Sequence, residues 1–426
     1  MLNTQQVSRN WQFMRNLIYS VIFSSVFLLA IEPVCCSQAN VLDQLEKYLK
    51  ANGLKNIAEQ DWSTKALTKE QCENAKRMLV DTHFANLRKE RQKEWTDKVI
   101  EIGDHSMKFE YKVFGEKPKN GRSLFISMHG GGGTSARVND RQWKNQIGLY
   151  RPEEGVYLAP RAPTDKWNLW HQSHIDPMFT RIIENAIVFQ DVNPNRVFIM
   201  GYSAGGDGVY QLAPRMADQL AAAAMMAGHP NNANPLGLRN IGFTLHMGGK
   251  DAAFKRNKIA EKWKTRLKKL QDDDPDGYRH KVVIHEKHGH WMNRDDAVAV
   301  PWMAEFTRNP IPTKVVWVQS GVTHDRFYWL AVDKENKKSG SLIVASRTEN
   351  RIVIERSEGV ESLTILINDE MLDMDQQVTL SFNGVDTAAQ VDRTISTLAQ
   401  TLTDRSDPAS MYSGAVKLKT QTLPEP

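Results

Sequence analysis

The apolar positions in the N-terminal part of the chain recur with the spacing of helices. Leu45 and Leu49 belong to one apolar face with a period of about 3.6 residues. Thr68 and Gln71 form the pair of a capping box, which predicts the start of a second helix. We therefore predict a helical N-terminal segment over residues 40–100. We expect it to pack on the main domain, with a movable lid as the alternative.

The hydrophobic pattern changes after residue 100 to short apolar runs that alternate with helical stretches. The runs predict strands over residues 107–114, 124–128, 156–160, 197–200, 222–227, 243–247 and 282–285. The longer stretches between them predict helices over residues 178–189, 206–218, 256–270 and 295–307. Such alternation is typical of a largely parallel sheet with helices on both faces. We assign this α/β domain to residues 101–310.

Beyond residue 310 the pattern changes again, to short strands at close spacing. Two prolines between residues 309 and 313 interrupt helical continuation. Turn signals such as Asn383-Gly384 separate the runs. The predicted strands cover residues 315–319, 327–333, 342–346, 352–356, 363–368 and 378–382. We predict a β-sandwich-like accessory domain over residues 313–426.

The first 39 residues have the order of a secretory signal peptide. Arg9 and Arg15 precede an apolar run over residues 17–30, and the small residues Ser37 and Ala39 follow it. The run is shorter than the roughly 20 residues that cross a bilayer, so we expect cleavage and no stable membrane span afterwards. The mature protein is then secreted or periplasmic.

The three cysteines affect two parts of the export prediction, the mode of anchoring and the disulfides of the mature chain. Cys35 and Cys36 stand where a lipid-modified cysteine could stand, so a lipoprotein anchor is the alternative to simple export. Cleavage near residue 39 leaves Cys72 alone, which excludes an internal disulfide in the mature chain. Its stability must then come from the core.

Composition and charge narrow the class of protein. The chain has 426 residues, of which 41% are apolar and 25% charged, as in folded soluble proteins. The 55 basic and 50 acidic residues give a net charge of +5, and acids interrupt the most basic run, residues 88–98. Neither feature indicates a nucleic-acid partner.

A candidate nucleophile stands in the sequence Gly201-Tyr202-Ser203-Ala204-Gly205, directly after a predicted strand and before a predicted helix. A reactive serine on a sharp turn between strand and helix needs a strained backbone, and both flanking positions need glycine to avoid a clash. The helix that starts beyond Ser203 also directs N–H groups and a partial positive charge towards a developing oxyanion.

A second glycine-rich element, residues 129–133, follows another predicted strand. Its uncovered backbone amides suit an oxyanion hole, in which one N–H comes from Ala204 and the other from this loop. We favour Gly131, with Gly130 or Gly132 as alternatives. A phosphate cradle is the competing interpretation, but no Lys-Ser/Thr pair follows the glycines.

A serine hydroxyl needs a base and an orienting acid, which follow it in the chain order Ser, acid, His. Asp251 follows the predicted strand 243–247 and is our candidate acid. His290 follows the strand 282–285 and is our candidate base, with His288 as the alternative. We interpret His285 as structural. Asp207 is too close to Ser203 for the acid and is interpreted as a capping or supporting residue.

These motifs carry a family resemblance. Residues 107–307 resemble the polyhydroxybutyrate-depolymerase and feruloyl-esterase-like group of α/β-hydrolases, which pair an HGGGG-type loop with GYSAGG and a late GH-W element. These motifs stand here at residues 129–133, 201–206 and 289–291. The resemblance implies an α/β-hydrolase fold and hydrolysis of carboxylic esters, from polymer or plant-wall esters to small acyl esters. The N-terminal helices, the β-rich tail and Arg294 depart from the group, so the substrate does not follow from it.

The loop over residues 161–174 is the candidate wall of a substrate pocket. It holds Trp167 and Trp170, which we assign to the pocket together with Tyr202, and the alternative is that the tryptophans only cap the sheet edge. The histidines of this loop lack an H-E-x-x-H pattern or paired cysteines, so we predict no metal site. No cofactor is required.

Together the motifs predict an exported serine hydrolase that cleaves carboxylic esters through an acyl-enzyme. A prolyl-oligopeptidase-like peptidase is the nearest alternative because it shares the fold and the triad order, although a propeller domain is missing. A catalytically idle surface protein, whose β-rich tail contacts a polysaccharide, is the alternative from another class. The intact Ser203, Asp251 and His290 argue against that loss of catalysis, and we favour a stabilising role for the tail.

Overall fold

The computed structural model describes residues 35–419, with side chains from residue 41 onwards. The apolar run 17–30, on which the signal-peptide prediction depends, lies outside the described residues. None of the described helices is long and apolar enough to cross a bilayer.

The described helices and strands alternate through the middle of the chain and become mainly strands after residue 313. The helices are α1 (Cys35–Asn52), α2 (Lys69–Asp97), α3 (Ala136–Gln146), α4 (Ile175–Gln190), α5 (Ala204–Arg215), α6 (Arg256–Asp273), α7 (Ala299–Ala304) and α8 (Ile395–Arg405). The strands up to residue 285 are β1 (Val99–Ile102), β2 (His105–Phe114), β3 (Arg122–Met128), β4 (Gly155–Pro160), β5 (Val192–Tyr202), β6 (Ala222–Met226), β7 (Gly242–Gly248) and β8 (His280–His285). The later strands are β9 (Lys314–Val318), β10 (Arg326–Phe327), β11 (Leu330–Ala331), β12 (Leu342–Thr348), β13 (Arg351–Glu358), β14 (Ser362–Ile367), β15 (Val378–Phe382), β16 (Val385–Ala389) and β17 (Gly414–Lys419).

The central sheet has eight strands in the order β1-β2-β4-β3-β5-β6-β7-β8. β2 pairs antiparallel with β1 and β4, and all later neighbours in this order pair parallel. This is the strand order of an α/β-hydrolase, so the predicted fold class is confirmed. Strands β3, β4, β6 and β7 and the second half of β5 are buried almost throughout, as expected for a sheet covered on both faces. The carboxyl ends of parallel strands meet at one edge, where such folds place their functional loops.

The predicted helical N-terminal segment is present as α1 and α2. Its apolar residues form a separate core cluster with α8 of the C-terminal region. Helix α2 also contacts α4 of the hydrolase region, where Arg91 pairs with Glu184. His83 Nε2 lies 2.9 Å from Ser406 Oγ in the same area. The segment therefore packs against two other parts of the molecule.

The C-terminal region contains two sheets and one helix. One sheet has the order β10-β11-β14-β17 and the other β16-β15-β13-β12-β9. Trp317 and Trp329 are fully buried in a core cluster that also holds residues of the central sheet. The hydroxyl of Tyr328 donates to the backbone oxygen of Ala217 at 2.9 Å. The β-rich region and the hydrolase region therefore share one apolar core.

Several predicted elements differ from the structure. The predicted helix 295–307 is a 3-10 turn, Asp295–Val298, followed by the short helix α7. Pro301 explains this start, since proline lacks an N–H and is tolerated only in the first turn of a helix. The first two residues of β1 lie in the predicted helical segment, and α3, α8, β16 and β17 were not predicted.

Candidate active site

Ser203 stands at the turn between β5 and α5 with strained backbone angles, φ 58° and ψ −120°. A Cβ on Gly201 would lie 2.2 Å from the backbone oxygen of Gly205, and a Cβ on Gly205 would lie 2.2 Å from that of Met128. The glycines at both positions are therefore a steric requirement of this turn. The Ser203 N–H donates to Met226 O at 2.9 Å, which fixes the turn to the next strand.

Three predicted residues from three loops meet at this turn. His290 Nε2 lies 3.0 Å from Ser203 Oγ, and His290 Nδ1 lies 2.7 Å from Asp251 Oδ2. Asp251 follows β7 and is 3% exposed, whereas the His290 side chain is 44% exposed. A Cβ on Gly248 would lie 1.9 Å from Gly289 O, so the acid and base loops touch directly. These distances allow a proton to pass from the hydroxyl to the imidazole.

The alternative histidines of this region have other partners. His288 Nε2 lies 2.8 Å from Asp295 Oδ2. His285 Nε2 lies 3.2 Å from Nδ1 of the buried His246. Neither side chain is paired with Ser203.

A cation flanks the candidate acid. Arg256 Nη1 lies 3.5 Å from Asp251 Oδ1, the carboxylate oxygen that His290 does not use. The guanidinium also lies 4.9 Å from the ring centroid of Phe254. Arg256 therefore compensates part of the charge of a carboxylate that is almost fully buried.

The glycine loop after β3 leaves the backbone amides of Gly130 and Gly131 without an acceptor among the described residues, next to Ser203. The Gly132 N–H donates to Asn139 Oδ1 and the Gly133 N–H donates to Asp165 O, both at 2.9 Å. The Gly131 N–H has no acceptor among the described residues. Gly131 has φ +103°, and a Cβ there would lie 2.2 Å from Asn139 Oδ1. The loop thus needs glycine at 131 and leaves this N–H available.

His129 fixes the direction of the same amide. Its Nε2 accepts from the Ala162 N–H at 3.1 Å, and its Nδ1 lies 2.6 Å from Gly130 O. Burial lowers the pKa of His129 to about 4, so the ring is neutral and its proton must lie on Nδ1. Gly130 C=O and Gly131 N–H belong to one planar trans peptide group and point in opposite directions. The hydrogen bond to Gly130 O therefore directs the Gly131 N–H away from His129.

A cavity of about 790 Å³ opens beside Ser203. Its lining includes the catalytic candidates Ser203 and His290, glycines of the loop after β3, polar residues of α3 and a basic residue. The lining residues are Gly130, Gly131, Gln142, Asn145, Gln146, Gly148, Leu149, Tyr202, Ser203, His290, Trp291 and Arg294. Arg294 is exposed and has no ion pair with a described carboxylate. The sequence did not indicate that Gln142, Asn145 and Gln146 would line the cavity, because amide side chains on a polar helix are typical of an ordinary solvated face.

The predicted pocket residues are only partly found here. Tyr202 lines the cavity, but the tryptophans do not. Trp170 is fully buried, and its indole N–H donates to His129 O at 2.9 Å, so it supports the glycine loop from behind. Trp167 is 62% exposed and lies against Gly133, outside the cavity lining. The assignment of Trp167 and Trp170 to the pocket is corrected accordingly.

Asp207 lies one turn beyond Ser203 on α5. Its Oδ1 accepts the backbone N–H of His229 at 2.6 Å, which holds the loop after β6. Burial is the largest effect on this carboxyl and raises its pKa to about 6. Asp207 therefore acts on the shape of a neighbouring loop. In the part of the chain that the structure describes, no group of three or more His, Cys, Asp or Glu residues is arranged to hold a metal ion.

Comparison with known proteins gives one family match. Residues 158–305 match the model of the Dienelactone hydrolase family, and this region contains Ser203, Asp251 and His290. No curated protein matches the chain at a significant level. The family match and the strand order confirm the predicted α/β-hydrolase group, and the predicted class of carboxylic ester hydrolase agrees with them.

Solved structures similar to the chain include several esterases. A thermostable esterase has a TM-score of 0.38 and 19% identity over 49% of this chain and 62% of its own length. A carboxylesterase from Mesorhizobium loti has a TM-score of 0.34 and 15% identity over 49% of this chain and 99% of its own. The feruloyl esterase module from Clostridium thermocellum, complexed with sinapinate, has a TM-score of 0.33 and 13% identity over 47% of this chain and 83% of its own. The chain thus spans less than two thirds of the thermostable esterase.

Proposed function

We propose that this protein is an exported serine hydrolase that cleaves carboxylic esters through an acyl-enzyme. The observation that carries the proposal is the contact of Ser203 Oγ with His290 Nε2 at 3.0 Å on a strained turn. The buried carboxylate of Asp251 completes the arrangement at 2.7 Å from His290 Nδ1. The similarity to a hydrolase family over residues 158–305 supports the same chemistry.

The reaction begins with proton transfer from Ser203 Oγ to His290 Nε2 while the oxygen attacks the acyl carbon. Asp251 accepts the Nδ1–H hydrogen bond, which selects the tautomer whose Nε2 is a base and stabilises the imidazolium. The N–H groups of Gly131 and Ala204 then bind the tetrahedral oxyanion. His290 returns the proton to the leaving alcohol oxygen, and a water molecule repeats the steps to release the acid.

The occupied amides exclude two glycines of the loop and leave Gly131, with Gly130 as the alternative. The Gly132 N–H donates to Asn139 and the Gly133 N–H donates to Asp165 O, so neither is free for an oxyanion. Ala204 is the first residue of α5, where a helix leaves its N–H groups without an intrahelical acceptor. The positive end of the helix dipole adds to the stabilisation of negative charge there.

The cavity favours a substrate with a polar group. Gln142 and Asn145 supply amides from α3, and Arg294 supplies a positive charge at the same cavity. An ester whose acyl or alcohol part carries a negative charge fits this lining better than a long alkyl chain. A polysaccharide contact of the C-terminal region stays a prediction.

The export component rests on the order of residues in the first 39 positions. Arg15, the apolar run 17–30 and Ala39 follow the plan of a cleaved signal peptide. N-terminal sequencing of the protein from the culture fluid or periplasm tests this. A mature chain that still begins at Met1 contradicts export by cleavage.

The catalytic proposal is tested with Ser203→Ala. We expect this variant to fold, to lose at least about 10³-fold of short-chain aryl-ester turnover, and to lose labelling by a fluorophosphonate probe. Ser341→Ala is the matched control, because its buried hydroxyl donates to Gly359 O in the C-terminal region. Undiminished ester turnover by Ser203→Ala overturns the proposal. Exclusive cleavage of a peptide anilide by the wild type favours a peptidase instead.

A further inference from the structure

The hydroxyl of Tyr202 lies between two backbone groups of the segment that carries the candidate base. It donates to His290 O at 2.6 Å and accepts the N–H of Met292 at 3.0 Å. Tyr202 is the last residue of β5 and directly precedes Ser203. One residue therefore connects the strand of the nucleophile to the loop of the base.

The segment 290–292 has few other backbone attachments. Strand β8, which precedes it, lies at the edge of the sheet. Among the described residues, the other backbone hydrogen bond of residues 290–292 is local, from the Asp295 N–H to Met292 O. The bonds to the phenol oxygen, together with the buried side chain of Met292, thus hold this backbone to the rest of the protein, while Asp251 holds the imidazole itself.

From this geometry we propose that Tyr202 is the positioning residue of the base: its phenol oxygen sets the place of His290 relative to Ser203. This inference rests on the proposed function. A hydroxyl has one proton to donate, and here His290 O takes it, so the oxygen is committed to the loop. Burial raises the pKa of Tyr202 above the usual value of a tyrosine, so the phenol keeps that proton at neutral pH.

The consequence for catalysis follows from the short distance over which the proton moves. Without the phenol oxygen, the N–H of the fully buried Met292 and the carbonyl of His290 both lose their partner. The segment then relaxes, and the 3.0 Å contact between His290 Nε2 and Ser203 Oγ lengthens. A misplacement of about 1 Å at a reacting group costs on the order of 10²-fold in rate.

Tyr202→Phe is the test because it removes the oxygen and keeps the ring. That ring makes an edge contact with His290, with centroids 6.0 Å apart. We expect kcat for a neutral aryl ester to fall about 10- to 100-fold with KM within about twofold of wild type. The rate of inactivation by a fluorophosphonate falls in parallel, since it needs the same activated hydroxyl. The amide of Met292 also exchanges its hydrogen faster.

Tyr328→Phe is the matched control. Its hydroxyl is likewise buried and donates to one backbone oxygen, that of Ala217, where the hydrolase region packs against the C-terminal region. We expect this variant to lose stability as Tyr202→Phe does but to keep kcat and the inactivation rate within about twofold of wild type. A purely structural role of Tyr202 predicts the same behaviour for both variants.

A rescue variant keeps the result decisive if Tyr202→Phe is poorly folded. Tyr202→4-aminophenylalanine restores an N–H donor towards His290 O, and we expect kcat at least about threefold above that of Tyr202→Phe. The inference is overturned if Tyr202→Phe, counted per labelled active site, keeps kcat within twofold, or if only KM changes. Ester turnover that survives Ser203→Ala contradicts the proposed function instead, so the two failures are distinguishable.

Discussion

Asn139 supports the glycine loop after β3, and its replacement gives the sharpest test of the oxyanion role that we propose for that loop. Its side chain is fully buried, Oδ1 accepts the Gly132 N–H at 2.9 Å, and Nδ2 donates to Asp165 Oδ1 at 2.8 Å. Asn139→Leu keeps the approximate shape of the side chain and removes both hydrogen bonds, together with the longer one from Nδ2 to Thr134 O at 3.4 Å. The Gly132 N–H then needs another acceptor, and the loop rearranges around Gly131.

The size of the effect follows from these contacts. The Gly132 N–H is only partly buried, so leaving it without its partner costs about 1–2 kcal/mol, the lower part of the range for a buried donor, and the lost bond to Asp165 adds about 1 kcal/mol. We therefore expect Asn139→Leu to lower the free energy of unfolding by about 2–3 kcal/mol. Removing an oxyanion donor altogether costs about 10²- to 10³-fold in kcat. Because the Gly131 N–H is displaced and not removed, we expect a loss of about 10- to 100-fold.

The assay separates loop geometry from general stability. Unfolding in urea gives the stability change, and aryl-ester kinetics at a temperature well below unfolding give kcat. A boronic acid, which forms a tetrahedral anion on a reactive serine, should lose affinity in parallel with kcat. Asn185→Leu is the matched control, because Asn185 is also fully buried and donates to Glu94 on α2, outside the cavity lining.

Two outcomes would contradict the role of Asn139. If folded Asn139→Leu keeps both kcat and boronate affinity within twofold of wild type, the Gly131 amide is not the oxyanion donor that Asn139 holds in place. An equal loss of kcat in Asn185→Leu would show that reduced stability alone explains the effect.

Two further predictions concern charge near the site. The pKa of Asp207 is raised to about 6 from 3.8, so the contribution of this carboxyl to stability is fully present below about pH 4 and is lost as pH rises through 6. Asp207→Asn keeps an acceptor for the His229 N–H, and we therefore expect its free energy of unfolding in urea to gain up to about 3 kcal/mol relative to wild type between pH 4 and 7. Parallel pH profiles of the two proteins would contradict this. Arg294→Gln should reduce kcat/KM about tenfold for an aryl ester that carries a carboxylate, because about 1.4 kcal/mol of charge attraction is lost, and should leave kcat/KM for the neutral analogue nearly unchanged. An equal change for both esters argues against a subsite that binds a negatively charged group.

The parts of the fold that depend on local sterics could be predicted from the sequence. Gly201 and Gly205 stand within a few residues of Ser203 and are both required there, so the pentapeptide 201–205 and the strand before it are enough to predict the turn. Asp251 and His290 could be proposed because chain order and strand ends limit the search, and the structure places both side chains in one hydrogen-bonded row with Ser203. The family resemblance was confirmed for the same reason, since it consists of such short motifs.

The missing parts depend on contacts between distant residues. The bond from Tyr202 to His290 O joins positions 88 residues apart, and nothing next to Tyr202 in the sequence indicates it. Trp170 was assigned to the pocket because its loop follows a strand, but only tertiary packing shows that its ring is buried behind His129. Helix α8 is held by apolar residues of α1 and α2, more than 300 positions earlier.

The seam between the hydrolase region and the β-rich region has a consequence for how this chain responds to damage or engineering. Trp329 is completely enclosed, and its indole N–H donates to Pro312 O, in the linker itself. Separating the two regions would expose the aromatic interior that they share to water. Heat or denaturant should consequently abolish ester turnover and the β-rich structure in a single transition. We also expect that neither region folds independently when it is fused to another protein.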